Sequence, residues 1–335
     1  MKNWNVAVLG ATGAVGQQML KVLAERNIPL GTVKALASAS SAGKKVYCGD
    51  REIIVEETRD NSFEGMDFVL GAVSNAMAQK FRPAIVKNGA VFIDNSSAFR
   101  LDDDVPLVIP QINGDDAFKH NGVIANPNCS TIVTLMAISG IARIAAIREM
   151  VACTYQAVSG AGREGIVELE TQMKQEYNGE EKTHSVFPCQ ILSNAIPFIG
   201  SELDNDYTTE EMKMQNEGRK IMHLPELKVC CTCVRIPVIR SHSISVQLKL
   251  DREVSIDDIK TAIKNAPGCV LAEDINGRDY PTPLDVSDQD LVYVGRVRRD
   301  LINGDKGVCL WCCGDQIRKG AATNAVEILE LLINK

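Results

Sequence analysis

The chain has 335 residues, 45% of them hydrophobic and 24% charged, with a formal net charge of −7. That length calls for two domains, and the composition excludes a disordered or fibrous protein. The acidic balance argues against nucleic acid or an anionic membrane as a partner. The longest apolar stretch, Ile132 to Ile147, is broken by Thr134, Ser139, Gly140 and Arg143, whereas a span needs about 20 mostly apolar residues.

The N-terminus passes from one lysine into Val6-Ala7-Val8-Leu9-Gly10 without the layout of a secretion signal, so a cytoplasmic location is expected. This apolar run reads as a buried parallel strand. It continues as Gly10-Ala11-Thr12-Gly13-Ala14-Val15-Gly16 and then at helical period through Leu23. Glycines spaced G-x-x-G-x-x-G between a strand and a helix let backbone amides approach a pyrophosphate at the helix N-terminus. Gly10, Thr12, Gly13, Ala14, Val15 and Gly16 are therefore cofactor-binding candidates. The second strand is expected over 32–37, followed by Ser38-Ala39-Ser40-Ser41-Ala42-Gly43-Lys44-Lys45. An NAD enzyme places an acid here for the ribose 2′-hydroxyl. This loop has none and offers hydroxyls, Ser38 and Ser41 among them, and two lysines, which suits the 2′-phosphate of NADP.

Residues 66–74 read as a strand, 76–87 as a helix and 90–94 as a strand, the rhythm of a doubly wound parallel sheet. Asp94 to Arg100 follows a strand's C-terminal end, where such sheets place ligand groups, and Arg100 is a candidate anion ligand. Leu107 to Asn113 and Val123 to Asn126 complete this half. Pro127-Asn128-Cys129-Ser130-Thr131 then opens a largely apolar helix. Cys129 falls in its first turn, where orphan N–H groups and the helix dipole favour a thiolate.

Beyond Cys129 the strands lengthen. Met150 to Val158 and the segments near 229–238, 243–250, 291–297 and 307–313 suggest an antiparallel or mixed sheet. Helices are expected over 164–177, from Thr208 or Thr209 onward, and from Arg318 to Leu332 as an amphipathic closing helix. His242, after Arg235-Ile236-Pro237-Val238, is the best base candidate among four histidines. Eleven cysteines, an odd number without a secretion signal, point to reduced thiols. Cys230 and Cys233, and Cys309 and Cys312, have zinc-like spacing, but both pairs lie in strand-like runs where Cys is a small apolar filler, so no metal is expected.

Seven segments in order resemble the aspartate-β-semialdehyde dehydrogenase family over almost the whole chain. They are Gly10 to Gly16, Asp94 to Ser97, Pro127 to Thr131, Tyr155 to Gly160, Glu210 to Lys213, Cys233 to Val238 with His242, and Lys319 to Ala322. The resemblance implies an α/β fold. A Rossmann-type NADP-binding domain over 1–128 is completed by the C-terminal helix 318–335. An α+β catalytic and dimerisation domain, like the C-terminal domain of glyceraldehyde-phosphate dehydrogenase, spans 129–317. It implies NADPH-dependent reductive dephosphorylation of L-4-aspartyl phosphate to L-aspartate 4-semialdehyde through a Cys129 thioester. The setting would be biosynthesis of lysine and diaminopimelate, threonine, methionine and isoleucine.

In that pattern His242 is the acid/base, taking the thiol proton with an ordinary pKa near 6.5, and Gln156 orients the substrate. Arg235 pairs with the substrate carboxylate and Glu210 with its amine, while Arg100, Lys213 and Asn128 hold phosphate. Ser159, Gly160 and Asn324 approach the nicotinamide. The partners implied are the small-molecule substrate and a second copy in a homodimer, or further copies in a tetramer. The sequence departs from the pattern at Ala39-Ser40-Ser41, where relatives often carry an Arg for the 2′-phosphate, which leaves room for some NAD use. Ser130 followed by Thr131 is a second departure, expected to be silent. Two rivals remain at this point: an N-acetylglutamyl-phosphate reductase, which would not need an acid at Glu210, and a non-catalytic NADP-binding redox sensor. A glyceraldehyde-phosphate dehydrogenase would carry Thr-Thr-Asn after the nucleophile.

Overall fold

The computed structural model describes residues 2–334. The chain divides into two compact units. One takes in the chain up to Asn128 and again from Ala321; the other is Cys129–Gly320.

The first unit is built on a seven-stranded sheet ordered β3-β4-β2-β1-β5-β6-β7. Its strands are β1 (Trp4–Leu9), β2 (Leu30–Ala37), β3 (Lys45–Cys48), β4 (Arg51–Glu57), β5 (Phe68–Gly71), β6 (Val91–Asp94) and β7 (Val123–Ala125). All neighbours pair in parallel except β3, which runs antiparallel to β4. β1 sits between β2 and β5, which is why Val6, Ala7 and Val8 are wholly buried and the segment reads as an unbroken apolar run. The helices are α1 (Ala14–Glu25), α2 (Asn75–Lys87), the single turn α3 (Pro110–Asn113) and, from the far end of the chain, α9 (Thr323–Ile333). Met19, Leu20 and Leu23 of α1 share one core with Val6 and Val8 and with Val326, Ile328 and Leu329 of α9. Arg26, just past α1, clasps α9 through Glu330 at 2.6 Å.

The second unit carries a six-stranded mixed sheet ordered β11-β12-β13-β10-β8-β9. These are β8 (Ile147–Gln156), β9 (Lys228–Arg235), β10 (His242–Leu250), β11 (Cys269–Leu271), β12 (Val292–Asp300) and β13 (Gly304–Gly314). The helices are α4 (Cys129–Ile144), α5 (Arg163–Asn178), α6 (Thr209–Met222), α7 (Ile256–Lys264) and the short α8 (Pro283–Val286). Every residue of α4 from Ser130 to Ile141 is buried, so this helix is enclosed rather than amphipathic. Thr208 caps α6, its hydroxyl accepting the Glu211 N–H while Glu211 accepts the Thr208 N–H at 2.8 Å.

Four expectations change. The loop expected after β2 runs directly into two further strands, β3 and β4, in which Val46, Cys48 and Val55 are buried while the other residues are half or fully exposed and mostly charged, so the apolar alternation is too short and broken to announce them. β9 stops at Arg235, ahead of Pro237, which has no N–H to donate to a ladder. The closing helix is in two parts: Arg318–Ala322 is a π-helical turn, and the α-helix begins at Thr323. The first unit accordingly regains the chain at Ala321 rather than at 318. Arg318 is tied into the second unit by Asp290 at 2.7 Å and by its own N–H to Asp315. Among the described residues, no helix is long and apolar enough to cross a membrane.

Candidate active site

In the second unit, three neighbouring strands of the sheet end at one edge. Gln156 closes β8 and pairs in register with Arg235, the last residue of β9, while His242 is the first residue of antiparallel β10. Because β10 runs opposite to its neighbour, its start meets the end of β8, and three polar side chains from distant positions converge. Cys129, the first residue of α4, faces them with Sγ 3.3 Å from His242 Nε2. The other ring nitrogen, Nδ1, accepts the Ala157 backbone N–H at 3.0 Å.

Gln156 is nearly sealed; its Oε1 accepts from Thr154 Oγ1 at 3.0 Å and its Nε2 donates to Glu210 Oε1 at 3.2 Å. Glu210, in the first turn of α6, also takes Lys213 Nζ at 2.8 Å, the three-residue spacing that puts both on one helical face. Arg235 is 6% exposed and donates from Nη1 to the Ala157 carbonyl at 2.6 Å, with its guanidinium near the Phe187 ring.

The electrostatics differ from the sequence expectation at one point. Burial first, then the Arg235 cation, pushes the His242 pKa down to about 3, against a smaller opposing effect of Glu210. His242 is therefore neutral at physiological pH, and the ordinary value near 6.5 does not apply. Burial likewise lowers the pKa of Arg235, partly offset by Glu210 and Cys129.

Two residues expected at the nicotinamide are built into this unit's frame. A Cβ at Gly160 would lie 2.7 Å from Arg235 Nη1 and 3.3 Å from His242 Cε1, so the glycine makes room for both. The Ser159 hydroxyl donates to the Ile239 carbonyl and accepts from Gln316 Nε2. Gln316 Oε1 in turn accepts the Ser241 N–H at 2.7 Å, holding Ser241 at φ 73° immediately before His242. Gln316, Ser241 and Gly320 were not singled out from the sequence. A Cβ at Gly320 would approach the Cys129 Cβ to 2.9 Å, so this glycine lets the π-helical turn lie against the nucleophile candidate. Its place in the Lys319–Ala322 motif was the available signal.

In the first unit, Gly10 has φ +87°, and a Cβ there would sit 2.2 Å from the Ala72 carbonyl oxygen; one at Gly16 would sit 2.2 Å from the Gly10 oxygen. Gly13 differs: a Cβ there would meet only the Gly10 oxygen, at 3.5 Å. Gly10 makes the tight turn, Gly16 the close packing, and Gly13 leaves open the approach to the first turn of α1, which no side chain caps. The turn also carries Thr12, Ala14 and Val15. A dinucleotide pyrophosphate fits this arrangement.

At the end of β2, Lys44 Nζ donates to Ser41 Oγ at 3.3 Å and the Ser38 and Ser40 hydroxyls touch at 3.0 Å. Lys45 is engaged with Glu52 at 2.9 Å, so one of the two lysines, not both, attends the serines. Arg100 is buried, donating from Nε to the Asn126 carbonyl at 3.0 Å and from Nη2 to Asn95 at 2.7 Å. Asn128 is buried at the last position of this segment. Asn324 donates from Nδ2 to the Val108 carbonyl at 2.9 Å and to Asn126 Oδ1 at 2.7 Å, which ties α9 to the residue after β7 and to the segment before α3.

The zinc-like cysteine pairs are three apart on strands, which sends their side chains to opposite faces: Cys233 is buried and Cys230 exposed, Cys312 is buried and Cys309 half-buried. Among the described residues no group of His, Cys, Asp and Glu is gathered for a metal.

Comparison with known proteins adds to this geometry. Residues 5–120 match the family model described as semialdehyde dehydrogenase, NAD binding domain, and residues 138–319 the one described as semialdehyde dehydrogenase, dimerisation domain. An aspartate-semialdehyde dehydrogenase of Bacillus subtilis is 46% identical over 98% of this chain and 97% of its own. The chain belongs to the aspartate-semialdehyde dehydrogenase family. A family member from Aquifex aeolicus is 44% identical over 99% of this chain and 98% of its own. The crystal structure of aspartate semialdehyde dehydrogenase II from Vibrio cholerae, complexed with ASA, superimposes with a TM-score of 0.97 at 38% identity, covering 100% of this chain and 99% of that one. Membership makes the chain an oxidoreductase of amino-acid biosynthesis, with a Rossmann-type domain for a nicotinamide dinucleotide and a dimerisation domain.

Proposed function

We propose that the chain carries out NADPH-dependent reductive dephosphorylation of L-4-aspartyl phosphate to L-aspartate 4-semialdehyde, through a thioester on Cys129. The observation that carries this reading is the contact of Cys129 Sγ with His242 Nε2 at 3.3 Å, ringed by buried Arg235, Gln156 and Glu210. A substrate with a carboxylate, an amine and an acyl phosphate needs cations and one anion. Arg235 has donors beyond its one to Ala157 and a planar fork suited to the carboxylate. Glu210 suits the amine, which separates this reading from an N-acetylated substrate. Lys213, Arg100 and Asn128 are assigned to phosphate.

Cys129 attacks the acyl carbon, Gln156 orients the substrate by its amide, and phosphate leaves. The nicotinamide, when bound, supplies the hydride that takes the thioester to the aldehyde level. NADP is preferred because the Ser38–Lys45 loop contains no acid and sets Lys44 on Ser41; the missing Arg beside Ser40 leaves a measurable NAD activity. The protein works in the cytoplasm as a homodimer, on the pathway to lysine, diaminopimelate, threonine, methionine and isoleucine.

The test follows reduction of NADP or NAD by L-aspartate semialdehyde, with and without phosphate. Phosphate-dependent reduction of NADP that disappears in Cys129→Ala is expected. Absence of reduction with both nucleotides overturns the reading and leaves the N-acetylglutamate semialdehyde reaction to be tried.

A further inference from the structure

Residues 179–208 join α5 to α6 without forming a helix or a strand, yet Phe187 and Ile191 within them are buried. Buried coil has no ladder to satisfy its backbone N–H groups, and here α5 supplies the acceptors. Glu168, 7% exposed, takes the Ser185 and Val186 N–H groups on Oε2 at 2.7 and 2.6 Å and the Phe187 N–H on Oε1 at 3.4 Å. One turn on, the wholly buried Gln172 accepts the Ile191 and Leu192 N–H groups on Oε1 at 3.1 and 2.9 Å. Its Nε2 donates to the Thr183 carbonyl at 3.0 Å. The four-residue spacing puts Glu168 and Gln172 on one helical face.

The segment fastened in this way reaches Arg235. Ile196 exchanges backbone hydrogen bonds with Arg235 at 2.9 and 2.8 Å, and the Phe187 ring centroid lies 5.9 Å from the Arg235 guanidinium carbon. Phe187 packs with Val158, Leu169, Ile191 and Ile196 in a small core of its own. A Cβ at Gly165 would approach the Phe187 Cζ to 3.1 Å, so this glycine of α5 leaves room for the ring. Arg235 is thus confined between the Ala157 carbonyl, which takes Nη1, and the ring. An arginine recognises a carboxylate by the direction of its planar fork, so a ring that moves lets the fork turn.

We propose that Glu168 is a positioning residue for the substrate carboxylate: by holding three successive backbone N–H groups it seats Phe187 against Arg235 and so aims the guanidinium. This rests on the carboxylate role given to Arg235 above. Glu168 acts through the segment and Arg235, not on the reacting atoms. The carboxylate is bound alike in the ground state and the transition state, so misaiming the fork weakens KM and spares kcat.

The test is steady-state kinetics of the full-length protein with L-aspartate semialdehyde, NADP and phosphate, in Glu168→Gln, Phe187→Leu, the double variant and Gln175→Ala. Glu168→Gln keeps the volume and one acceptor oxygen but sets an NH2 among the backbone N–H groups. KM for the semialdehyde should rise about fivefold to tenfold in each of the first two, with kcat and KM for NADP within about twofold of the parent. The double variant should be no worse than the poorer single one, because both changes break one arrangement. Gln175 bonds Thr183 through both amide atoms at 3.0 Å, away from Phe187, and its alanine variant should leave KM unchanged. Amide hydrogen exchange over 185–187 should quicken in Glu168→Gln. An unchanged KM or unchanged exchange in Glu168→Gln, a kcat that falls with KM, multiplied effects in the double variant, or an equal rise in Gln175→Ala overturns the inference. If the parent shows no turnover with L-aspartate semialdehyde, the functional reading falls. Hydrogen exchange and the same kinetics with N-acetylglutamate semialdehyde, which also carries a carboxylate, then decide the inference.

Discussion

Six of the residues assigned to the cofactor lie within Gly10–Gly16, one turn after one strand, whereas Cys129 and His242 are 113 positions apart and meet only because β10 returns antiparallel to β8. The glycine turn uses backbone: φ at Gly10, a tight approach at Gly16, and the N–H groups of a helix start. The cluster in the second unit uses side chains held in a sealed environment, with His242, Gln156 and Arg235 almost wholly buried. Backbone geometry is local in sequence, so the first site can be read from a motif. Side-chain charge depends on burial and neighbours, so the second site's chemistry emerges only when the fold assembles it.

That contrast can be tested by changes that keep the backbone and alter one side chain. Arg235→Lys removes the planar fork while leaving a cation, and the lysine cannot hold both the Ala157 carbonyl and a substrate carboxylate. A loss on the order of a hundredfold in kcat/KM is expected, with an unchanged melting temperature. An unaffected kcat/KM would sink the carboxylate role.

The buried histidine makes a stability prediction of known sign. His242 stays neutral in the folded chain down to about pH 3, while an unfolded imidazole protonates near 6.5. The unfolded state then binds more protons between these values, so stability falls as pH drops through that window. The charged and titratable groups that face the ring are Arg235 from β9, Glu210 from α6 and Cys129 from α4. His242→Gln should lose roughly 2–3 kcal/mol less than the parent between pH 7 and pH 4.5 in urea titrations. An identical pH dependence in both proteins would show that the ring is hydrated and titrates normally.

In the first unit the glycines should separate by role. Gly10→Ala forces a Cβ onto the Ala72 carbonyl at positive φ and should cost about 2–3 kcal/mol of stability. Gly13→Ala meets only ordinary contact, so its effect should be confined to a roughly tenfold weaker Kd for NADP by calorimetry. Equal stability losses in the two variants would break the distinction drawn between turn and approach. The smallest effect is expected at Lys44→Ala, which should lower the preference for NADP over NAD a few-fold by weakening one exposed charge contact. A preference unchanged in the variant would place the 2′-phosphate elsewhere.

Much of this was legible beforehand. The strand–glycine turn–helix, the βαβ rhythm through β6, the helix start at Cys129 and a threonine cap at 208 or 209 all depend on residues within a turn or two of one another. The pair β3–β4 was not legible because it buries only Val46, Cys48 and Val55 among largely charged and exposed residues, too few to set a readable period.

The sequence by itself determined the fold class, the dinucleotide turn and the identity of the candidate nucleophile, since each rests on local backbone preference or on residue chemistry. Only the tertiary structure decided that Lys45 pairs with Glu52 and leaves Lys44 to the serines, that Gly320 sits against Cys129, and that Gln316 braces the strained residue before His242. It also decided that the pKa of His242 is lowered, by burial and by Arg235. A histidine's pKa and proton position are set by desolvation and by the groups that face its two nitrogens, and those groups come from parts of the chain that are neighbours only in three dimensions.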